Sequence, residues 1–371
     1  MTDTLPPFRA DHVGSLLRPA RLKEARAQRT KGEITADELK KVEDDEIKRG
    51  IAKQEEIGLK SITDGEFRRS WWNLDFLAGF DGAEWTKLAE GIQFKGLTTR
   101  RDAVRVSGKL GLTRHPMVEH FRFLKAHTKQ TPKMTIPAPS ALYTRSGRDM
   151  VSEAVYPSLD EFFSDLGKAY RKAVQAFSDA GCRYLQLDEV YIALWCDPEH
   201  RAMLKARGDD PDKLLAADAA LMNDAIAAAP DDMTITMHLC RGNNQSKYLG
   251  SGGYEPVADV LFNTIDVDAY FMEYDSDRAG GFEPLRLVPK NKKVVLGLVT
   301  TKSGRLEPRD EIKRRIEAAT KFIDIGQLCL SPQCGFASTE EGNLLSEEEQ
   351  WAKLRMIVEL ADEIWASRRK G

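Results

Sequence analysis

Short β-rich runs alternate with longer helical patterns along the chain, and this alternation limits the folds that the chain can adopt. Eight runs read as strands, at residues 8–13, 59–64, 133–138, 183–188, 233–239, 269–274, 293–299 and 327–332. Strands separated by helices pair in parallel, and eight such repeats predict closure into an α/β fold of the (β/α)8 barrel type. A doubly wound open sheet is the alternative, because periodicity alone does not distinguish a closed sheet from an open one.

Two helices have clear start signals. Thr35 with Glu38, and Ser158 with Glu161, are spaced as capping boxes, in which a hydroxyl and a carboxylate exchange hydrogen bonds with the backbone. Helical patterns also occupy residues 255–264, 308–323 and 346–366, between the later strands. This placement agrees with one helix after each strand.

The connection between the second and third predicted strands, residues 65–132, is too long for a plain crossover. It contains Trp71 and Trp72, a pattern typical of a hairpin at 104–112, and a helical pattern near 116–127. We interpret the connection as an insertion in a single barrel domain spanning residues 1–371. The two tryptophans could form a lid or substrate wall, or could simply pack against the barrel.

Composition excludes several classes of protein. A net charge of −3 gives no basic surface for nucleic acid or anionic membranes, and the apolar runs are too short to span a bilayer. Five cysteines are an odd number and do not predict a disulfide framework, and the N-terminus has no apolar segment typical of secretion. We therefore expect a cytoplasmic protein whose partners are small molecules, with its thiols reduced. The oligomeric state is left open.

Potential metal ligands lie at the ends of three predicted strands. His238 and Cys240 are two residues apart, so on an extended strand both side chains point the same way. Cys334 follows the eighth strand and Glu273 closes the sixth. An imidazole, two thiolates and a carboxylate favour Zn²⁺ in a tetrahedral site.

The charge of such a site predicts its chemistry. Two thiolates and a carboxylate outweigh the metal by one negative charge, so the zinc would be a poor Lewis acid. It would instead bind an incoming thiol and lower the pKa of that thiol, with Glu273 able to move aside. A closed structural zinc site, or cysteines that only fill the core, are the alternatives.

Further polar groups at strand ends suggest a substrate site. Glu66 and Asp188 could together bind an ammonium group, and the backbone N–H groups at Gly14 and Ser15 could bind a carboxylate. The alternative is that each acid forms an ordinary ion pair, for which the neighbouring arginines at 68 and 69 are close enough in sequence.

Several segments together resemble the cobalamin-independent methionine synthase family, in its C-terminal catalytic barrel. The segments that carry the resemblance are "HVGSLLRP", "TDGEFRR", "LQLDEV", "MHLCRGN" and "SPQCGF", and they run the length of the chain. The resemblance implies a (β/α)8 barrel with zinc bound by His238, Cys240, Glu273 and Cys334. It also implies that Ser15, Glu66 and Asp188 contact homocysteine.

Two departures bear on the methyl donor. Full-length members carry an additional N-terminal barrel that helps to bind folate, whereas the resemblance here is to the catalytic barrel. The family also has a histidine after the seventh strand that serves to protonate the folate, and the nearest match here is Thr301, in "LVTTKSG". Tetrahydrofolate is a poor leaving group unless protonated, so the thiol half of the reaction is better supported than the donor half.

Three functions follow as hypotheses. The first is a zinc-dependent S-methyltransferase that makes methionine from homocysteine, with methyltetrahydrofolate or another methyl carrier as donor. The second is alkyl transfer to another thiol, as in epoxyalkane:coenzyme M transferases, for which two carboxylates would suit the sulfonate badly. The third is a barrel like uroporphyrinogen decarboxylase, or a non-catalytic binder with structural zinc.

Overall fold

A computed structural model describes residues 5–144 and 147–366 of the chain. The strands in this part are β1 (Ser61–Ile62), β2 (Asp81–Lys87), β3 (Gln93–Phe94), β4 (Leu97–Thr98), β5 (Asp102–Gly111), β6 (Thr131–Pro132), β7 (Met134–Pro137), β8 (Tyr184–Glu189), β9 (Thr234–Leu239), β10 (Ala269–Glu273), β11 (Lys293–Val299) and β12 (Leu328–Pro332). The α-helices are α1 (Ala20–Thr30), α2 (Ala36–Glu56), α3 (Leu74–Leu77), α4 (Pro116–His127), α5 (Leu159–Asp179), α6 (Tyr191–Leu194), α7 (Pro198–Ala206), α8 (Pro211–Ile226), α9 (Ala258–Asn263), α10 (Arg309–Ala319) and α11 (Glu347–Ala366).

The parallel strands form a (β/α)8 barrel, as predicted. Strands β7 to β12 pair in sequence order, each parallel to the next. Strand β1 pairs with β6, which is separated from β7 by Lys133 alone. The segment before α1 lies beside β12 through a parallel bridge between Ala10 and Leu330. The open sheet considered as the alternative is therefore not the fold.

The first predicted strand, 8–13, is wrong as a strand: in the structure it is a single bridge and not a ladder. The Asp11 amide and the Arg9 carbonyl bond to Leu330 of β12, and other backbone groups of the segment bond to side chains. The Asp11 carboxylate accepts from the amides of Phe8 and His12, and the Lys133 ammonium donates to the His12 carbonyl at 2.5 Å. Local side-chain bonds of this kind compete with ladder formation. They explain why the segment occupies the position of a strand without being one.

The second predicted strand, 59–64, is shortened to β1 for a similar reason. The Gln54 side chain accepts from the Thr63 amide at 3.0 Å and donates to the Thr63 carbonyl at 2.9 Å. This amide therefore occupies both backbone groups of Thr63. The other six strands begin and end within one residue of prediction, apart from the interruption at Lys133.

The insertion, residues 65–132, contains the predicted helix as α4 but not the predicted hairpin at 104–112. Those residues lie almost wholly in the single strand β5, which pairs antiparallel with β2. The two strands approach closely at Gly82, where an added Cβ would lie 2.4 Å from the Lys109 carbonyl oxygen. The hairpin turn thus lies earlier in the chain, and a second small antiparallel pair, β3 with β4, lies between its strands.

The capping box predicted at the start of α2 is confirmed, whereas at the start of α5 only the serine cap is present. Thr35 and Glu38 form the full reciprocal capping box. Ser158 caps α5 by accepting from the Asp160 amide, but Glu161 pairs with Lys109 of the insertion instead of completing the box. A tertiary ion pair has replaced the local bond. Among the described residues no helix is both long and apolar enough to cross a membrane.

Strand side chains alternate between the barrel interior and the surrounding helices. Tyr184, Phe271, Val295 and Cys329 share one buried interior cluster, whereas Met272 and other neighbours with the opposite parity pack in the main core against helices. Residues two positions later on the same strands therefore also point inward. That parity determines which side chains meet at the carboxyl end of the barrel.

Candidate metal and substrate site

Strand parity directs three predicted site residues to the barrel interior. His238 on β9 is in register with Phe271 on β10 and with Asp188 on β8. Glu273 lies two residues beyond Phe271, so it shares the same inward direction. Cys240 immediately follows β9, and its amide donates to the Glu189 carbonyl at 3.2 Å, which extends the strand direction by one residue.

Three of the predicted metal ligands lie together. The donor atoms of His238, Cys240 and Cys334 all lie within 4.8 Å of one another, and the three side chains are buried. His238 Nδ1 lies 3.3 Å from the Phe271 carbonyl oxygen, which suits an Nδ1–H donor and leaves Nε2 with its lone pair whenever the ring is neutral. His238 Nε2 is buried without a hydrogen-bond partner. An orphaned imidazole nitrogen beside two thiols is a donor set that fits Zn²⁺.

The two thiols are coupled. Cys240 Sγ and Cys334 Sγ are 3.4 Å apart, close enough to share a hydrogen bond. The hydrogen bond from Cys240 holds the pKa of Cys334 well below its usual range, whereas the same bond, with burial, raises the pKa of Cys240. One thiol of the pair is therefore ready to ionise, and a cation that replaces the shared proton would be needed to ionise the other.

Glu273 lies outside this group of three. Its carboxylate is fully buried, accepts from the Arg241 amide at 2.8 Å, and pairs with Arg278 and with Lys302, whose Nζ is 3.5 Å away. Burial would raise the pKa of Glu273, but Lys302, Arg278 and Arg241 outweigh it and lower the pKa to about 2. The carboxylate is therefore ionised and held by basic groups beside the thiols.

A cavity opens beside the three donors. His238, Cys240 and Cys334 line it, and so do the predicted substrate contacts Ser15, Glu66 and Asp188. Residues from the loops after strands one, two, four, five and eight of the barrel thus reach a single space. This is the carboxyl-end location at which barrel enzymes bind their substrates.

Glu66 is both a cavity residue and half of an ion pair. Its carboxylate pairs with Arg69, and it also accepts from the Thr135 hydroxyl at 2.9 Å. The backbone of Glu66 has φ 59, a left-handed conformation that is uncommon for a residue with a side chain. Gly14 packs so closely that an added Cβ would lie 2.6 Å from Glu66 Oε1. Arg68, the other candidate partner, pairs instead with Glu43 and Asp44.

Asp188 and Ser15 have fewer competing contacts. Asp188 accepts from Gln186 Nε2 at 2.7 Å, and burial raises the pKa of its carboxyl group. The Ser15 carbonyl accepts from the Phe336 amide at 2.9 Å, and its hydroxyl accepts from the Ala337 amide at 3.3 Å. Both residues remain buried parts of the cavity wall.

Thr301 is not among the residues that line the cavity. It is fully buried, and its hydroxyl lies 3.0 Å from both Asn243 Nδ2 and Gln333 Oε1. This hydroxyl therefore bonds within the protein and does not face a ligand in the cavity.

Several lining residues were missed by the sequence analysis. Phe94 lies on β3 of the insertion and Ile92 directly precedes that strand, whereas Tyr191 begins α6 and Asn243 follows Cys240 by three residues. Asn243 Oδ1 is buried without a hydrogen-bond partner. The "CRGNN" segment directly after Cys240 was the available signal for Asn243. No local pattern marks Phe94, because the fold of the insertion places it there.

The chain was compared with known proteins. The family model described as the catalytic domain of cobalamin-independent synthase matches residues 8–363. YxjH of Bacillus subtilis (strain 168), an uncharacterized protein, is 51% identical over 97% of this chain and 95% of its own length. A candidate vitamin-B12-independent methionine synthase from Listeria monocytogenes has a solved structure with 43% identity and a TM-score of 0.78, covering 97% of this chain and 98% of that one.

A more distant relative carries a named activity. The 5-methyltetrahydropteroyltriglutamate–homocysteine methyltransferase of Bacillus velezensis (strain DSM 23117 / BGSC 10A6 / LMG 26770 / FZB42) is 25% identical over 96% of this chain, which corresponds to 43% of that protein. These matches confirm the resemblance found in the motifs. The chain belongs to the family of cobalamin-independent methionine synthase catalytic domains.

Proposed function

We propose that the protein is a zinc-dependent S-methyltransferase that converts homocysteine to methionine, with methyltetrahydrofolate or another methyl carrier as donor. The observation that carries the proposal is the group His238, Cys240 and Cys334 on the wall of a cavity. Structural zinc sites are normally closed by four protein ligands, whereas an open side leaves room for a substrate atom. Membership of the methionine synthase family supports the same reaction.

His238, Cys240 and Cys334 are the proposed protein ligands, with Glu273 as the fourth. Zinc bound there would lower the pKa of a substrate thiol and keep the thiolate nucleophilic. Glu273 is already ionised, and its basic partners Arg278 and Lys302 would hold the carboxylate whenever the substrate takes its place. Glu273 is thus proposed as a metal ligand whose carboxylate Arg278 and Lys302 hold once the substrate displaces it.

The amino-acid end of homocysteine is proposed to lie against Ser15, Glu66 and Asp188. Because Arg69 already neutralises Glu66, Asp188 supplies the uncompensated charge that attracts the substrate ammonium. The backbone N–H groups at Gly14 and Ser15 are proposed to hold the carboxylate. Asp188 and His238 are in register on neighbouring strands, so the ammonium and the thiol bind to adjacent strand ends.

The other hypotheses have weaker support. A sulfonate thiol such as coenzyme M needs a free cation, and Arg69, the arginine among the described lining residues, is engaged by Glu66. A decarboxylase barrel has no use for three soft metal donors. The insertion contributes Phe94 to the cavity, so we also propose that the barrel and residues 65–132 work as one catalytic unit. The reduced cysteines agree with a cytoplasmic location.

The test combines metal content with activity. Purified protein is expected to contain one zinc per chain and to form methionine from homocysteine. Cys240→Ser is expected to lose the zinc and at least 100-fold in activity, whereas Cys182→Ser is expected to retain both. Cys182 is the matched control because it is buried and its Sγ bonds the Tyr184 carbonyl at 3.3 Å, a contact that serine can keep. Full activity without metal would contradict the proposal.

A further inference from the structure

The part of the cavity wall contributed by the insertion and by the start of α6 is aromatic. Trp71, Trp72, Phe94 and Tyr191 all line the cavity, together with Ile92. The aromatic residues come from three separate stretches of chain, so their convergence is a product of the fold. Faces of aromatic rings attract cations, and quaternary cations in particular bind to such walls.

The charges in the cavity also favour a cation. Glu66 and Asp188 line it against one arginine, Arg69, so the described wall has more carboxyl groups than arginine or lysine side chains. Two thiolates would offset the charge of a bound zinc ion, and the thiolate of a bound substrate would add another negative charge. A second substrate that enters this space with a positive charge is therefore stabilised by the wall.

The wall offers little for protonating a leaving group. Glu66 is paired with Arg69, Asp188 is assigned to the substrate ammonium, and Thr301 does not line the cavity. On the aromatic part of the described wall, the side chain with an O–H group is Tyr191. A phenol is a weak general acid near neutral pH.

We propose that the methyl donor is an onium compound, in which the methyl group is bound to a positively charged sulfur or nitrogen. This inference rests on the proposed function, because it assumes transfer to the homocysteine thiolate. The thiolate sulfur forms the new S–CH3 bond, and the electron pair of the breaking bond stays on the leaving sulfur or nitrogen. The leaving molecule is then a neutral sulfide or amine, so no proton is required. A methyl group on an uncharged amine nitrogen would instead need an acid to release it.

The donor has room for a large substituent. Phe94, Tyr191, Ile92 and Leu249 line this cavity and also a neighbouring groove, which Trp195 lines as well. A compact sulfonium amino acid would fill the first space only, whereas a sulfonium nucleoside would extend into the groove. Both sources share the same reactive chemistry, and the assay distinguishes them.

The first experiment compares donors with the zinc-loaded protein and homocysteine. S-methylmethionine, S-adenosylmethionine, glycine betaine and 5-methyltetrahydrofolate are each supplied, and methionine formation is measured. We expect at least one onium donor to give a kcat/KM 100-fold or more above that of methyltetrahydrofolate. A preference for methyltetrahydrofolate would overturn the inference.

The second experiment measures binding without turnover. γ-Butyrobetaine and its carbon isostere 5,5-dimethylhexanoate, which has the same carboxylate but no positive charge, are titrated into the zinc-loaded protein with homocysteine bound. γ-Butyrobetaine is expected to bind at least 10-fold more tightly than the isostere. In Phe94→Leu this ratio of affinities is expected to fall about 5-fold. Trp85→Leu, a half-exposed tryptophan on β2 that does not line the cavity, is the control and should change neither affinity. Equal affinities for the two compounds would overturn the inference.

The outcomes separate this inference from the proposed function. If homocysteine binds the metal and is methylated by methyltetrahydrofolate but by none of the onium donors, the inference is wrong and the methyltransferase assignment stands. If homocysteine does not bind the metal, the proposed function itself fails, whichever donor is supplied.

Discussion

Cys240 Sγ and Cys334 Sγ lie 3.4 Å apart although 94 residues separate them in the chain. Three intervening β-strands, β10 to β12, bring the second cysteine round the barrel to the first. The two thiols share a hydrogen bond, and among the described residues His238 Nε2 beside them is buried without a partner. A bound metal ion would therefore account most simply for the short distance between the two sulfur atoms.

Asp188→Asn should weaken homocysteine binding while leaving zinc in place. Removing the charge that holds the ammonium is expected to cost about 2 kcal/mol, or roughly 30-fold in Kd, which titration calorimetry measures. Asp197→Asn is the control, because this aspartate is buried off the cavity and asparagine caps α7 equally well. Loss of metal in the Asp188 variant would refute the substrate role assigned to it.

Arg69→Met should destabilise the fold. Glu66 would remain buried without its counter-charge, which typically costs 3–5 kcal/mol. Adding Glu66→Gln to Arg69→Met should recover most of that loss, and urea unfolding measures both. A double variant as unstable as the single one would show that the arginine acts through other contacts, such as its bond to the Ser338 carbonyl.

Gly14→Ala should disturb the substrate site through a steric contact. Gly14 has φ +142, and an added Cβ would lie 2.6 Å from Glu66 Oε1. We expect a stability loss of about 2 kcal/mol and about 10-fold weaker homocysteine binding. Gly32→Ala is the control, because its φ is +76 but no atom lies within 4 Å of the added Cβ. Equal losses of affinity in both variants would exclude the contact with Glu66 as the cause.

Folding stability should fall as pH is lowered from 7.5 to 5.5, in part through His12. Burial, and then Lys133, lower the pKa of His12 to about 4 in the folded protein, whereas it is near 6.5 in the unfolded chain. Between these values the unfolded state binds a proton that the folded state does not, so stability decreases with falling pH by about 1 kcal/mol over this range.

His12→Gln tests the contribution of His12 to this pH dependence, because the glutamine amide can still donate to the Ser61 carbonyl that His12 Nε2 contacts at 3.2 Å. Stability curves of the two proteins at several pH values should diverge by about 1 kcal/mol toward pH 5.5. Parallel curves would contradict the low pKa of His12.

The alternation of strands and helices predicted the barrel because hydrophobic periodicity is a local property. The metal donors were predictable for the same reason. His238 and Cys240 are two residues apart on a strand, so their side chains point the same way, and Cys334 lies at the end of a recognisable strand. Strand-end position then placed them at one rim of the barrel.

What could not be predicted depends on contacts between distant segments. The strand at 8–13 is lost to the Asp11 carboxylate and to Lys133, 122 residues from Asp11 along the chain. Glu161 forms an ion pair with Lys109 and does not complete the predicted capping box. Phe94 lines the cavity only because the insertion folds over the barrel. The Lys302 ammonium that pairs with Glu273 likewise comes from a separate loop, after β11, so the distance of Glu273 from the other donors was not evident from its strand-end position.

The proposal that the homocysteine thiol binds a zinc ion is tested most directly by X-ray absorption at the zinc edge, before and after homocysteine is added. We predict two sulfur ligands, from Cys240 and Cys334, in the resting protein and a third on adding homocysteine. Two sulfur ligands in both states, or no zinc bound at all, would contradict it.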